Sequence, residues 1–433
     1  MPDEFVSCEI DQKPHKLLPR GLGIILFVAC LVRLTAALAI TSYLSQVGRD
    51  FLIEGDANGY WELAQKLVAG EDYSLHTPPR YVLRTPGFPA VLAVPIALFG
   101  DSWLIARIWL AIWGTAAVWV TFLLGQRLVN TQAGLIAALV AAFSPAFVIF
   151  STLILTETVF AVSVLLSLWF GERVVATLRP SSVCGKGLVL RAFLAGASIG
   201  LACLVRPSWI FAAPIFGGLI LLISPHRLHA FLAAGLICAG TVLTLLPWGL
   251  RNQQVTGHFT LTTFWAGPSL YDGLNPNANG DSDMRFFDAD SERAHMSEYE
   301  VDQKYKRLAW KFVKEHPQRT LELAFLKQAR YWNPVPNAEQ FQRWWIKIPF
   351  LLWYCLIAVF TCIGVWSQRK RIWTLVICLG PVIYFAAIHS IFVGSIRYRL
   401  PAEYPLLILT SAGIAATYQH WFRSKTVTEA DHS

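Results

Sequence analysis

The sequence is organised around one acidic stretch near its amino terminus, Phe51-Leu-Ile-Glu-Gly-Asp56-Ala-Asn-Gly-Tyr60-Trp61. This stretch follows the first long apolar run. Asp56 stands at the start of a short pattern with helical spacing, which ends at Gly70. Such a carboxylate is either an N-cap that accepts free backbone N–H groups or part of a functional site. The rest of the chain bears on this choice.

The composition indicates a membrane protein. The chain has 433 residues, of which 55% are hydrophobic and only 15% are charged. A soluble protein would carry about a quarter of charged residues. Apolar runs near the ~20 residues that cross a bilayer as a helix recur along the sequence. We therefore expect an all-α polytopic membrane protein.

The basic residues indicate orientation rather than binding to nucleic acid. The net charge is +8, but most Lys and Arg residues lie in short connections between apolar runs. There they set the orientation of a membrane protein and meet anionic lipid. We expect membrane lipids as partners, and no nucleic acid. The eight cysteines lie in apolar runs or in segments predicted to be cytoplasmic, so we expect no structural disulfide.

Placing the basic connections in the cytoplasm predicts about ten spans with both termini inside. The predicted spans are 21–44, 103–128, 131–150, 152–170, two halves of 192–223 that meet at Arg206-Pro207, 228–250, 348–366, 372–392 and 400–421. The first of these is too long for the apolar region of a signal peptide, so we expect it to remain in the protein.

This topology divides the chain into five parts. The first outer loop, 45–101, would carry the active site, and residues 251–347 would form a small helical cap outside the membrane. The helix pattern of that cap is interrupted at His316-Pro317. The predicted domains are a cytoplasmic tail 1–20, a bundle 21–250, the cap 251–347, carboxy-terminal helices 348–421 and a cytoplasmic tail 422–433.

Several charged side chains converge on the outer membrane surface in this topology. Glu157 is predicted to lie about one and a half turns below that surface, where an unpaired carboxylate costs several kcal/mol. It should therefore face the protein interior or a wet cavity. Carboxylates mixed with arginines suit a substrate that has a phosphate and a lipid tail. The candidate site residues are Glu54, Asp56, Arg84, Glu157, Arg206, His389, Arg397 and Arg399.

The motifs that hold these residues resemble the GT-C superfamily of integral-membrane glycosyltransferases. The resemblance covers nearly the whole chain in matching order and is strongest to the protein O-mannosyltransferase and aminoarabinose-transferase type, which is similar to glycosyltransferase family 39. It is carried by Gly55-Asp56-Ala-Asn-Gly-Tyr60-Trp61, Arg84-Thr-Pro-Gly-Phe-Pro, Leu155-Thr-Glu157-Thr-Val-Phe, Leu204-Val-Arg206-Pro207, Pro247-Trp248-Gly-Leu-Arg251-Asn252 and Arg397-Tyr-Arg-Leu-Pro401.

The resemblance implies a sugar donor carried on polyprenyl phosphate, an active site on the outer face and an inverting transfer. It assigns the catalytic acidic residue of the first outer loop to Asp56. Some relatives have a second acid beside it, or an acid just before the proline of the later motif, where this chain has Arg84-Thr85-Pro86. Glu54 and Glu157 are the nearby candidates for a second acid, and a divalent metal stays an open alternative.

The chemistry also suits the residues by themselves. Polyprenyl phosphate is a good leaving group when cations meet its developing charge, so one carboxylate base for the acceptor hydroxyl is enough. We expect Asp56 to be this base. We expect Arg84, Arg206, Arg397 and Arg399, together with Glu157 and His389, to bind the substrate and its phosphate. The acceptor would be a hydroxyl of a protein, lipid or glycan.

Two other functions compete with this prediction. An oligosaccharide polymerase or ligase also joins lipid-linked glycans at the outer face, but it more typically has arginine-rich outer loops. A secondary transporter places its charges near the midplane and often repeats its hydropathy in two halves, and this chain has no internal repeat. A bacterial inner (plasma) membrane location is predicted, with the active site facing the periplasm or exterior.

Overall fold

The structure is a computed structural model that describes residues 19–178, 185–335 and 343–430. Within these ranges the chain is helical, and its single isolated backbone bridge joins Leu75 to Arg80. Most of the predicted amino-terminal tail lies outside the described residues. The helices before the cap are α1 Arg20–Gln46, α2 Asp56–Ala69, α3 Gly87–Phe99, α4 Trp103–Leu128, α5 Thr131–Phe143, α6 Pro145–Phe150, α7 Glu157–Thr177, α8 Gly185–Val205, α9 Ala212–Ile223 and α10 Arg227–Thr256.

The remaining helices build the cap and the carboxy-terminal part of the bundle. A 3₁₀ turn at Ser291–His295 separates the short helices of the cap from its two longer ones. The helices are α11 Ala266–Gly273, α12 Arg285–Asp288, α13 Glu298–Glu315, α14 Pro317–Trp332, α15 Trp344–Gln368, α16 Ile372–Ile391 and α17 Ile396–Ala430.

The predicted all-α polytopic architecture is confirmed, whereas the predicted count of about ten spans is not. In the described part of the chain, seven helices are long and apolar enough to cross a membrane: α1, α4, α7, α8, α10, α15 and α16. The apolar helices α3, α5 and α9 have only 13, 13 and 12 residues. At 1.5 Å per residue they are too short for a bilayer of ~30 Å.

The predicted spans 131–150 and 152–170 differ from the observed helices. Ser144 adopts an extended conformation, and Pro145 begins a separate short helix. After α6, the hydroxyls of Ser151 and Thr152 donate to nearby carbonyl groups, and the following residues up to Thr156 are not helical. Glu157 is therefore the first residue of α7, not a residue one and a half turns inside a span.

The chain reverses direction at Arg206-Pro207, as the charge pattern predicts. Gly196 of α8 lies against Ile237 of α10, and Gly200 lies against Thr244, so α8 and α10 run parallel. Helix α9 enters α10 through a short connection and therefore runs antiparallel to both. Arg206, which is extended, lies at the turn. However, α8 has 21 residues and is longer than the half-span predicted here.

The cap packs directly on the bundle. His316 separates α13 from α14, and Pro317 is the first residue of α14, as the sequence predicts. Two side chains of α14 bond to α16: the Lys327 ammonium donates to the Ile391 carbonyl at 2.6 Å, and the Gln328 amide donates to the Ala386 carbonyl at 2.7 Å. These bonds join α14 to α16 and fix the cap above the end of the bundle where α16 ends.

Glycine allows α8 and α10 to approach closely. A Cβ atom on Gly196 would lie 2.1 Å from the Ile237 carbonyl oxygen, whereas a Cβ atom on Gly235 of α10 would meet nothing within 4 Å. Both glycines are helical, so alanine would gain the same helix propensity at either position. The two positions therefore separate packing from propensity.

We predict opposite effects of alanine at these two glycines. Gly196→Ala should separate α8 from α10 and lower stability by about 1–3 kcal/mol, the usual cost of overpacking. Gly235→Ala should leave stability unchanged or raise it by about 0.5–1 kcal/mol. Thermal unfolding midpoints of the purified variants would measure the difference. Equal midpoints would contradict the close packing of the two helices.

Candidate active site

Five charged side chains form a continuous chain of ion pairs at one end of the bundle. Arg84 Nη2 donates to Asp56 Oδ1 at 2.6 Å, and Arg397 Nη2 donates to Asp56 Oδ2 at 2.9 Å. Arg397 also donates through Nε to Glu157 Oε1, and Arg206 Nη1 donates to the same oxygen at 3.2 Å. The charges thus alternate in the order Arg84, Asp56, Arg397, Glu157, Arg206, which we call the ion-pair chain.

The ion-pair chain has more positive than negative charge and little contact with water. Three arginines against two carboxylates leave a formal charge of +1. The Glu157 side chain is only 1% exposed, and the arginines are mostly buried. Charge interactions are stronger in such an environment than in water. An anion is therefore the ligand that this group of residues would favour.

Four of the five members of the ion-pair chain lie where a helix begins or ends, and Arg84 lies in a loop. Asp56 is the first residue of α2, after Gly55 with a φ of +77°, a conformation that favours glycine. The Asp56 side chain makes no capping hydrogen bond, so the N-cap interpretation is not supported. Glu157 begins α7, and Arg397 lies in the first turn of α17.

The loop that carries Arg84 is pressed against the turn that carries Arg206. A Cβ atom on Gly87 would lie 2.6 Å from the Leu204 carbonyl oxygen, so only glycine allows this approach. On its other side, the Glu298 carboxylate accepts the N–H groups of Tyr81 and Val82 at 2.6 and 2.9 Å. The cap therefore helps to place Arg84.

The arginines keep Asp56 ionised. Burial by itself would raise the pKa of this carboxyl, but the charges of Arg84 and Arg397 outweigh it and lower the pKa to about 2. Asp56 is therefore a carboxylate at any physiological pH. While both arginines hold it, however, it is a weak base.

Aromatic rings fix the planes of the guanidinium groups. The Arg84 Cζ atom lies 5.5 Å from the ring centre of Tyr60 and 5.9 Å from that of Trp265. The Arg206 Cζ atom lies 4.7 Å from the ring centre of Tyr398. Cation–π contacts of this kind are worth about 0.5–2 kcal/mol each, depending on desolvation. They hold the arginines in place without neutralising them.

Three predicted site residues lie outside the ion-pair chain. The His389 ring stacks on Tyr398 at 4.3 Å, and its Nδ1 is 2.8 Å from the Val393 carbonyl oxygen, so it supports the ring behind Arg206. Arg399 binds Glu403 at 2.5 Å and the Tyr331 carbonyl at 2.7 Å. Two positions after Arg397 on a helix, it points to a different face.

Glu54, the third of these residues, is exposed and pairs with Arg49 at 3.0 Å. Of the two candidates for a second acid, only Glu157 is joined to Asp56 by a shared partner, Arg397. In the part of the chain that the structure describes, no group of three or more His, Cys, Asp or Glu residues could hold a metal ion. The two carboxylates of the ion-pair chain, Asp56 and Glu157, each accept hydrogen bonds from arginines.

Sequence reasoning missed residues that orient the site. Arg251 donates to the carbonyls of Tyr81 and Tyr73 at 2.7 and 3.0 Å and so clamps the loop before Arg84. Arg251 and Tyr398 lie inside motifs quoted above, so their position in those motifs could have identified them as site residues. Glu298 and Trp265 lie in the cap, where the sequence has no feature that connects them to the first outer loop.

Comparisons with known proteins agree with this architecture. A family model described as dolichyl-phosphate-mannose-protein mannosyltransferase matches residues 83–248, which include Arg84, Glu157 and Arg206. A comparison with curated protein sequences found no significant match.

Solved structures share the fold at low sequence identity. The oligosaccharyltransferase AglB from Archaeoglobus fulgidus, in complex with an inhibitory peptide and a dolichol-phosphate, matches with a TM-score of 0.57 and 12% identity over 94% of this chain and 52% of that chain. The apo form of the Archaeoglobus fulgidus oligosaccharyltransferase matches with a TM-score of 0.58 and 13% identity, over 94% and 52%. The chain thus spans about half the length of these proteins.

A weaker match is ArnT from Cupriavidus metallidurans bound to undecaprenyl phosphate. Its TM-score is 0.46 and its identity 15%, over 91% of this chain and 59% of that chain. Taken together, the family model and the fold shared with the archaeal oligosaccharyltransferase confirm the resemblance to the GT-C superfamily.

Proposed function

We propose that this multi-pass membrane protein of the GT-C fold is a glycosyltransferase. It would transfer a sugar from a polyprenyl-phosphate-linked donor to an acceptor hydroxyl, with inversion of the anomeric centre. The observation that carries the proposal is the ion-pair chain at the end of an apolar bundle: three mostly buried arginines, the buried Glu157, and Asp56, whose side chain is 33% exposed. The phosphate of a lipid-linked donor suits the charged residues, and its polyprenyl tail suits the apolar bundle.

The arginines would bind the donor phosphate. Guanidinium groups match phosphate oxygens with paired N–H donors. Arg397 and Arg206 are the best placed, because both donate to one oxygen of Glu157 and Arg397 also donates to Asp56. As the bond to the sugar breaks, the same cations would stabilise the charge that develops on the leaving phosphate.

Phosphate binding would also make Asp56 a better base. In the structure Arg397 divides its N–H groups between two carboxylates. A phosphate that takes over this arginine neutralises one of the three cations that lower the pKa of Asp56, whereas burial still raises it. The pKa would therefore rise from about 2 towards the ordinary range when the donor is bound.

The proposed reaction is a single displacement. The acceptor hydroxyl gives its proton to Asp56 while its oxygen forms a bond to the anomeric carbon. The bond between that carbon and the phosphate oxygen breaks, and polyprenyl phosphate leaves with the electron pair. Attack from the face opposite the phosphate inverts the anomeric centre. No second carboxylic acid is needed, because the leaving group is already stabilised by cations.

Glu157 would contact the donor sugar or its phosphate-binding arginines. Its Oε2 atom is buried and has no hydrogen-bond partner in the described structure, whereas Oε1 accepts from two arginines. An unsatisfied buried acceptor costs about 1–3 kcal/mol. A hydroxyl of the donor sugar would satisfy it.

The site would face the periplasm or exterior of a bacterial inner membrane. Arg127 pairs with Glu172, and Arg371 lies near the Leu128 carbonyl, so these residues gather at one end of α4. The opposite end of the bundle holds Asp56. Basic residues favour the cytoplasmic side, which supports an extracytoplasmic position for the ion-pair chain.

Asp56→Asn should abolish transfer without loss of folded protein. Asparagine has nearly the same shape but cannot take the proton, and removal of a general base typically costs about 10²–10⁴-fold in rate. Glu54→Gln, which changes an exposed acid outside the ion-pair chain, should keep near-normal activity. Mass spectrometry of polyprenyl phosphate released by purified protein from a panel of undecaprenyl-phosphate sugars would measure both. Transfer by Asp56→Asn at the wild-type rate would exclude this residue as the base.

Arg397→Gln should weaken donor binding more than acceptor binding. Loss of a guanidinium that binds phosphate should raise the KM for the donor by about 10-fold or more, since charged hydrogen bonds are worth about 1.5–3 kcal/mol. Arg49→Gln, which changes an exposed arginine of the first outer loop, is the control. Steady-state kinetics with varied donor would test this. Equal changes in both KM values would argue that Arg397 only anchors α17.

Cysteine labelling should show the orientation. In a variant without the native cysteines, Glu71→Cys should react with an impermeant thiol reagent in intact cells, because it is exposed on the side of Asp56. Lys370→Cys, exposed beside the basic connection before α16, should react only after lysis. The reverse pattern would overturn the proposed orientation.

A further inference from the structure

A cavity lies beside the ion-pair chain, between the first outer loop and the cap. Its volume is about 220 Å³, and His76, Arg80, Trp265, Phe287, Asp288 and Arg293 are among the residues that line it. Its rim, which includes His76 and Asp288, is exposed, whereas Leu83 at its base is buried. The cavity is therefore open to the aqueous side and closed towards the bundle.

Two side chains, those of Trp265 and Arg84, separate this cavity from Asp56. Leu83 is the neighbour of Arg84 in sequence. Trp265 lines the cavity and lies 5.9 Å from the Arg84 guanidinium carbon, which in turn holds Asp56. A molecule in the cavity would thus be adjacent to the reacting position without occupying it.

The lining suits a neutral ligand that has many hydroxyl groups. Trp265 and Phe287 form an aromatic corner, with ring centres 4.9 Å apart. Asp290 is already paired with Lys304 at 2.8 Å. Asp288 is 75% exposed and lies 3.8 Å from Arg293, too far for a hydrogen bond, so both can accept or donate to a ligand.

The charge and size of the cavity limit the class of ligand further. The two arginines of the lining face acidic residues in the same wall, so the cavity has no cationic excess comparable to that of the ion-pair chain. It is also smaller than the roughly 300–1,000 Å³ pockets that hold drug-sized ligands. A single sugar ring, with apolar faces for the aromatic corner and hydroxyls at its edge, matches these properties.

We propose that this cavity binds one neutral sugar unit of a glycan acceptor, while another unit of the same glycan passes along the aqueous side and presents its hydroxyl to Asp56, whose side chain is 33% exposed. The proposal rests on the proposed function and makes it narrower, because it selects a saccharide acceptor over a peptide. Trp265 and Asp288 would position that unit, and neither would take part in bond formation.

The test measures sugar binding without any donor. Saturation-transfer NMR on the full chain in lipid nanodiscs, with the methyl glycosides of glucose, mannose and galactose as probes, should show binding of at least one. Trp265→Ala and Asp288→Asn should each weaken it by about tenfold. Asp288→Asn is the informative second variant, since its side chain is exposed and does not touch Arg84. Trp310→Ala, at a tryptophan of α13 that is 60% exposed and outside the cavity, should bind as the wild type does.

The outcomes separate this inference from the proposed function. Binding that is equal in wild type, Trp265→Ala and Asp288→Asn would overturn the site, and so would the absence of binding by every glycoside. Binding of a blocked serine- or threonine-containing tripeptide in place of the glycosides would overturn the saccharide assignment. A protein that transfers sugar yet fails this test would contradict only the inference, whereas glycoside binding without transfer would contradict only the proposed function.

Discussion

The alternation of arginine and carboxylate in the ion-pair chain is the interaction on which the site depends. Five side chains from distant parts of the sequence meet at the end of an apolar bundle, and each charge is compensated by a neighbour. Without this alternation, every one of them would carry a desolvation cost of several kcal/mol. The pairing therefore explains how charged residues of α2, α7, α17 and the turn after α8 can lie together beside the apolar core.

The same arrangement limits the basicity of Asp56 while arginines hold it. Ion pairs buried in a protein are weak evidence for stability, because desolvation offsets much of the attraction. Their role in the proposed reaction is that partners can be exchanged. An incoming phosphate can replace a carboxylate as the partner of an arginine, so the arginine keeps an anion beside it. The aromatic rings of Tyr60 and Tyr398 hold the guanidinium planes during such an exchange, since cation–π contact does not require a counter-ion.

The sequence predicted the membrane architecture and most of the site for physical reasons that can be named. The span Trp103–Leu128 was predicted to the residue, with Arg127 marking its end, and the structure shows that Ser102 caps its start. The helical position of Glu157 was predicted wrongly, because residues 151–156 are apolar enough to continue a span but are not helical. Their Ser and Thr hydroxyls bond locally to carbonyl groups, and such bonds leave no periodic signal. Arg399 was misplaced because neighbouring motif residues on a helix face different directions. The cavity beside Trp265 joins segments about two hundred positions apart, which no spacing in the sequence reveals.

The surplus of one positive charge in the ion-pair chain has a consequence for turnover. A donor phosphodiester carries one negative charge, so the loaded site would be neutral. The polyprenyl phosphate product is a monoester that carries close to two. The proton captured by Asp56 keeps the product complex neutral at first. Once that proton escapes to water, the complex carries a net charge of about −1. The Asp56 carboxylate then competes again with the product phosphate for Arg84 and Arg397. Under the proposed reaction, discharge of the proton and departure of the spent lipid are therefore coupled events, and the enzyme resets itself electrostatically after each cycle.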